Sequence, residues 1–179
     1  SGGPTITDQP DDVVVLLNTT ATFTVTATGS NVTYQWLRNG AVISGATSNV
    51  LSFNATAADA GAIYTCRVCD DNGVVVSDPA ILYVGVTIFQ HPLGKMMCAN
   101  ASTTLSVVAQ GVGTLSYQWQ KYNSTTAAWE NLSDGSGISG TTTSTLTFNP
   151  TTTAHAGQYR VIITDSADPA NPVTSNAAT

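Results

Sequence analysis

The sequence predicts an all-β protein made of two β-sandwiches in tandem, and three observations predict it. The first is self-similarity. Ser-Gly-Ala-Thr-Ser-Asn-Val-Leu-Ser-Phe-Asn at 44–54 returns as Ser-Gly-Thr-Thr-Thr-Ser-Thr-Leu-Thr-Phe-Asn at 139–149, and Tyr34-Gln35-Trp36 returns as Tyr117-Gln118-Trp119. The second is alternation of apolar and hydroxylic residues, as in Phe23-Thr-Val25-Thr-Ala27 and Leu105-Ser-Val107-Val-Ala109. Period two with β-branched residues means half-buried strands. The third is punctuation: turn signals at Thr28 to Asn31, Asn39-Gly40, Ser44-Gly45, Ala57 to Gly61 and Asn72-Gly73 cut the chain into short strands, the pattern of a sandwich or small barrel. No segment carries a 3.6-residue apolar stripe between helix caps.

Matched positions lie 82 apart at Gly29/Gly111, 83 at Trp36/Trp119, and 95 at Leu51/Leu146 and Tyr64/Tyr159. About twelve residues are therefore inserted in the second copy between Trp119 and Ile138. So long a period describes two complete beads, because solenoid units repeat every 20–50 residues or so. The boundaries are 4–85 and 86–179. The last strand of the first bead ends Ile81-Leu-Tyr-Val84 and the next begins Val86-Thr-Ile-Phe89, which leaves too little linker for a flexible coil. A fairly stiff, extended pair is the expectation.

Charged residues are only 9% of the 179, the net charge is −6, and Ser and Thr together number 45. Hydroxyls rather than charges make this surface polar. No Lys/Arg cluster exists to displace counterions, so nucleic acid is not expected as a partner. The longest apolar stretch, Ile81 to Phe89, is broken by Gly85 and Thr87 and is far too short to span a bilayer. Any membrane attachment would lie outside this stretch. Ser1-Gly2-Gly3 has the look of a cloning remnant and the pattern stops midway at Thr179, so the chain reads as a piece of a longer protein.

At Trp36, Asp59-Ala-Gly61 and Tyr64-Thr-Cys66 the pattern resembles the immunoglobulin superfamily, and both copies resemble its I-set type. The resemblance covers nearly the whole chain. It makes Trp36 and Trp119 the buried tryptophans of strand C, and Tyr64 and Tyr159 the corner tyrosines that open strand F. The inward core positions two residues later are Cys66 and Val161. In the family, strand B carries a cysteine that bridges to strand F, but here the corresponding places hold Val25 and Val107. Neither sandwich is expected to contain that bridge. The missing bridge and the Ala/Thr-rich surface are similar to Ig-like repeats of bacterial surface proteins and of receptors from early-branching animals. Gly61 to Tyr64 is one residue longer than Gly157 to Tyr159, which predicts a bulge at the start of strand F in the first copy.

Three cysteines, Cys66, Cys69 and Cys98, are an odd set, so at least one thiol is unpaired within the chain. Cys66 and Cys69 fall on opposite faces of one strand, and Cys66 reads as a buried free thiol behaving as a small hydrophobe. No spacing gathers the cysteines around a His as a metal site would need. His91 and His155 stand apart from any nucleophile arrangement and read as solvent-facing turn residues, so neither catalysis nor a cofactor is expected. The acidic turns Asp8/Asp11-Asp12, Asp70-Asp71 and Asp165/Asp168 each supply fewer oxygens than calcium takes. In variable-type domains of the family an Arg and an Asp pair across the lower corner, and Arg38 with Asp59 is the matching pair, replaced in the second copy by Lys121 and His155.

Six Asn-x-Ser/Thr triplets, at Asn18, Asn31, Asn54, Asn100, Asn123 and Asn131, fall at turns or strand ends and are candidate N-glycosylation sites. They point to an extracellular or cell-surface location. With Trp36 and Cys66 inward, Gln35, Leu37, Thr65, Arg67 and Cys69 point outward from the first bead, on a face without sequons. That mixed patch is the candidate interface for a protein ligand or for homophilic self-association. The first functional reading is thus an adhesion or receptor ectodomain segment; the resemblance implies a single-pass receptor, a receptor tyrosine kinase being one form. The alternative is a pair of spacer beads in a secreted or bacterial surface adhesin. A third, carbohydrate binding, would need an exposed aromatic platform, for which Trp129 in the insertion is the candidate.

Overall fold

The structure is a computed structural model that describes residues 2–179. Almost every element is a strand, and the chain divides after Gly85 into two compact units. Both units are β-sandwiches.

The first unit contains β1 (Thr5–Asp8), β2 (Val13–Val15), β3 (Thr20–Thr24), β4 (Thr26–Thr28), β5 (Thr33–Arg38), β6 (Ala41–Val42), β7 (Val50–Asn54), β8 (Ile63–Asp70), β9 (Gly73–Val76) and β10 (Ala80–Val84). On one side β1 pairs with β4 and β3 with β7, all antiparallel. The opposing sheet runs β2-β10-β8-β5-β6, with β9 added to β8. Alternation decides which side chains go in: Ala21, Phe23 and Val25 are buried while Thr20, Thr22 and Thr24 face water. They meet Trp36, Tyr64, Cys66, Val68 and Leu82 in one apolar cluster. Phe23 stacks on Tyr64 at 4.8 Å between ring centroids, and Phe53 lies 5.4 Å from the same ring.

The second unit contains β11 (Thr87–Gln90), β12 (Thr103–Ser106), β13 (Val108–Gln110), β14 (Leu115–Asn123), β15 (Ala128–Asn131), β16 (Ile138–Ser139), β17 (Thr145–Phe148), β18 (Tyr159–Asp165) and β19 (Asp168–Thr174). Here β11 pairs with β13, β12 with β17, and the opposing sheet runs β15-β14-β18-β19. Leu105, Val107, Trp119, Leu146, Tyr159, Val161 and Ile163 form its core.

The two core tryptophans, Trp36 and Trp119, are held by the same set of bonds. The Trp36 indole N–H donates to the Ser48 carbonyl at 2.8 Å and the Trp119 indole to the Thr143 carbonyl at 2.7 Å. Backbone bonds Ile43 N to Trp36 O and Leu132 N to Trp119 O also correspond, as do Trp36 N to Ala46 O and Trp119 N to Thr141 O. These matches divide the insertion in two: six residues lengthen the β14–β15 hairpin, and six more lie between Leu132 and Thr141.

The matched glycines have a steric reason. A Cβ on Gly29 would lie 2.6 Å from Asp70 Oδ2, and one on Gly111 would collide with Asp165. In both units an aspartate at the end of strand F gathers backbone N–H groups from the neighbouring turns. Asp165 accepts from Val112, Gly113 and Ala167 at 2.7, 2.9 and 2.9 Å; Asp70 accepts from Asn72 and Gly73 and, at 3.3 Å, from Ser30.

One expectation is met and one needs correction. The extra residue before Tyr64 makes the expected bulge at the start of strand F, on the side of β10: Gly61, left-handed at φ +79°, and Ala62 together face Leu82, with bonds from Gly61 N to Leu82 O and from Leu82 N to Ala62 O. Toward β5 the register is unbroken from Tyr64↔Arg38 to Cys69↔Thr33. The Asn72-Gly73 hairpin exists, but its turn is Asp71-Asn72, since Asp70 pairs with Gly73. By contrast Asn39-Gly40 closes the β5–β6 hairpin with φ of 48° and 81°, as a two-residue turn with both centres left-handed requires.

Candidate functional site

Trp36, Tyr64, Cys66, Trp119, Tyr159 and Val161 all lie inside the two cores. The Cys66 thiol is free, and its Sγ is within 3.8 Å of the Arg67 carbonyl. Burial pushes this thiol up to about 11, so it is almost wholly protonated at neutral pH. The backbone N–H of Cys66 donates to Ser77 Oγ at 2.9 Å, and that of Val161 to Ser175 Oγ at 3.0 Å, so a serine guards the same edge in each unit. Tyr159 donates from its hydroxyl to the His155 carbonyl at 2.6 Å, and burial pushes it up to about 12. Cys69 is half-buried and Cys98 exposed, and both are free.

The turn before strand F shows one task done by two chemistries. Arg38 and Asp59 form an ion pair at 2.5 Å, while Asp59 Oδ2 accepts from the Thr56 N–H at 2.8 Å. That amide bond, opposed by burial and aided by the Thr56 hydroxyl and Arg38, holds Asp59 below the usual carboxylate range. In the second unit His155 Nδ1 accepts from the Thr152 N–H at 3.2 Å, and Lys121 Nζ donates to the Ala154 carbonyl at 2.6 Å. His155 also places Nε2 3.1 Å from the Ser136 carbonyl, and His91 Nδ1 accepts from Asn176 N at 2.9 Å. The histidines, expected to be plain solvent-facing turn residues, are therefore half-buried fasteners.

The acidic turns are spent in the same way. Asp12 accepts from Ile81 N, Asp71 from the Ser30 hydroxyl and Asn31 amide, and Asp168 from Asn171. Asp165 is 1% exposed; burial raises its proton affinity, but the three amide donors outweigh this and hold it below the usual range. Among the described residues no three His, Cys, Asp or Glu side chains converge as a metal site.

On the outer face of the first unit the register sets Leu37 beside Thr65, Gln35 beside Arg67, and Thr33 beside Cys69. The edges of this face are aliphatic: Val42, Val74 and Val76 are 57, 60 and 57% exposed, with Val42 paired to Leu37, Val76 to Arg67 and Val74 to Cys69. Gln35 does not belong to the free surface. Its Nε2 donates to the carbonyls of Ile43 at 2.7 Å and Trp36 at 3.0 Å, tying down the loop after β5. Gln118 repeats this toward Trp119 and Leu132. The available patch is Leu37, Thr65, Arg67 and Cys69 with the three valines, which the sequence reading had not included. Their signal was Gly73-Val-Val-Val76 after a turn, a strand too alternating in register to bury every valine.

The equivalent face of the second unit is aromatic and amide-rich. Tyr122 pairs with Trp129, ring centroids 5.4 Å apart, and the Arg160 guanidinium lies 4.3 Å from the Trp129 ring centroid. Gln120 joins Arg160 Nε at 2.8 Å to Asn131 Oδ1 at 2.9 Å. Of the sequon asparagines, Asn18, Asn31, Asn54, Asn100 and Asn131 are exposed and Asn123 is half-buried. Among the described residues no helix is long and apolar enough to cross a membrane.

Residues 3–84 match the family described as immunoglobulin domain. No curated protein matches the chain. Solved structures do: Sidekick-1 immunoglobulin domains 1–5, at 19% identity and TM-score 0.54, align over 98% of this chain and 37% of that one. The N-terminal Ig1-2 module of the Drosophila receptor protein tyrosine phosphatase DLAR aligns at 19% identity over 98% of this chain and 96% of that one, TM-score 0.43. Extracellular domains 3–5 of Drosophila OTK align at 19% identity over 98% and 64%, TM-score 0.46. With 1351 solved chains matching, the fold alone does not select a function.

Proposed function

We propose that this chain, whose first unit is an immunoglobulin domain and whose second is built on the same fold, is an extracellular protein-binding segment of an adhesion or receptor ectodomain. Its contact surface is the outer face of the β8–β5 sheet in the first unit. The observation that carries the reading is the set of valines on that face, each more than half exposed around Leu37 and a single cation, Arg67. An apolar patch with one guanidinium is the composition of an interface core, where charged residues are depleted but Arg is enriched. None of the six sequons lies in that sheet: Asn54 ends β7 in the opposite layer, Asn18 bonds through its backbone to Ala55, and Asn31 precedes β5 in a turn.

The partner is a protein or a second copy of the chain. Changing both Leu37 and Arg67 to Glu replaces an aliphatic centre and its cation by two carboxylates. Binding and self-association should then be lost while the thermal midpoint stays nearly unchanged. Undiminished binding by the folded double variant would defeat the proposal. A pure spacer, by contrast, would pass this test with no change in any interaction.

A further inference from the structure

Trp129 and Asn131 lie two residues apart on β15, so their side chains leave the same face, with Cα atoms roughly 7 Å apart at strand rise. That face is the outer one. Asn131 is in register with Gln120, and Gln120 with Arg160, in a row across the sheet; Trp129 starts one row over but lies against Arg160. The indole therefore crosses diagonally above Gln120, which is only 9% exposed although it points away from the core. Arg160 fixes the indole from one ring face, and Gln120 orients Asn131 by donating to its Oδ1.

This leaves Asn131 Nδ2 exposed, with no hydrogen-bond partner among the described residues. Asn123 is different: its Nδ2 donates to Glu130 at 2.9 Å while its Oδ1 accepts from Thr125 and Thr126. Asn31 donates to Asp71 at 2.7 Å. Asn18, Asn54 and Asn100 have Leu16, Ser52 and Cys98 two residues before them, none of them aromatic.

We propose that Asn131 carries an N-linked glycan whose first N-acetylglucosamine packs against the Trp129 indole. The inference rests on the extracellular reading above. In the attachment step Asn131 Nδ2 displaces a polyprenyl diphosphate from the anomeric carbon of a lipid-linked oligosaccharide. One C–N bond forms, one C–O bond breaks, and the amide gives up one proton, with Asn131-Leu132-Ser133 as the recognised triplet. A pyranose presents C–H groups on one face and hydroxyls around its edge. Stacked on the indole, it covers an apolar ring and keeps its hydroxyls in water, which suits an aromatic side chain that is only partly buried.

The test uses the whole chain secreted from a eukaryotic host, with peptide mapping by mass spectrometry at all six sequons. The glycans are then trimmed to the first sugar, and thermal midpoints are compared for native, Asn131→Gln, Trp129→Ala and the double variant. Asn131 should be occupied, and its sugar should raise the midpoint of the second unit by about 4 °C in the native background but not beside Trp129→Ala. An equal shift in both backgrounds, or none in either, overturns the packing. Should Trp129→Ala fail to fold, nuclear Overhauser contacts between the sugar and the Trp129 ring in the native glycoprotein decide instead, and their absence overturns it. Occupancy elsewhere with Asn131 empty defeats this inference alone. Empty sequons throughout defeat both it and the glycoprotein part of the extracellular reading.

Discussion

The two units solve one folding problem with different side chains, and the turn before strand F shows it best. In the first, Thr56 N–H finds a carboxylate that is also an ion-pair partner; in the second, Thr152 N–H finds an imidazole and the nearby lysine turns to a backbone carbonyl. What is common is an acceptor three residues after a threonine, and a cation donating to the carbonyl just before that acceptor, since Arg38 also reaches Ala58 O at 2.9 Å. The backbone requires its N–H to be satisfied, and charge is incidental to that requirement. The same lesson holds in the core, where a thiol and a valine occupy the inward place on strand F beneath an identical serine hydrogen bond.

The sharpest challenge to this equivalence is removal of each tryptophan. Trp36→Ala and Trp119→Ala should each cost about 3–5 kcal/mol. Denaturant unfolding followed unit by unit would register it, and a loss below half of this in either unit would show that its core does not depend on the residue.

Next come the matched glycines. Gly29→Ala and Gly111→Ala each push a methyl into an aspartate that gathers amide donors, and overpacking of this kind costs about 1–3 kcal/mol. Gly111→Ala should be the worse of the two, because Asp165 is buried and its bond to the amide that follows the glycine is 2.7 Å, against 3.3 Å for Asp70. Equal losses would mean that both turns yield alike.

Smaller again is the cap. Asp59→Ala and His155→Ala should each cost on the order of 1 kcal/mol. Only the first should be tied to carboxylate titration. Because Asp59 is held below its usual value in the folded state, its contribution is present above about pH 4 and is lost as pH falls through the lowered value. Thermal melts of the native chain and Asp59→Asn, run from neutral to acid pH, should converge at the acid end. A constant gap would remove Asp59 as the cause.

The smallest effect should come from Cys66→Val, which makes the first unit resemble the second. A swap of similar volume costs less than about 1.5 kcal/mol, and the buried thiol gives up only a long bond to a carbonyl. In the native chain an alkylating reagent should label Cys98 first and Cys66 last, read by mass spectrometry; early labelling of Cys66 would contradict its burial.

Much of this fold can be read in the sequence because its anchors are sterically demanding. A strand tryptophan, a glycine under a carboxylate and a corner tyrosine each fill a place that few residues fit, so their repetition betrays the two sandwiches. The candidate surface is less legible. Gln35 sits at an outward place by period two, yet its amide reaches sideways to loop carbonyls, a path no alternation rule contains. His155 escaped notice as a cap because the usual signal there is an acid or amide. The halves of the insertion could be separated only by the backbone bonds that resume at Leu132 and Thr141.

One feature of the first unit bears on mechanics. Strand β2 runs parallel to β10, with Val13, Val14 and Val15 beside Leu82, Tyr83 and Val84. Tension applied between the two ends of that unit would draw these strands past each other along their length. Their hydrogen bonds would then share the load in shear instead of parting one at a time, as they would in a hairpin opened from its free end.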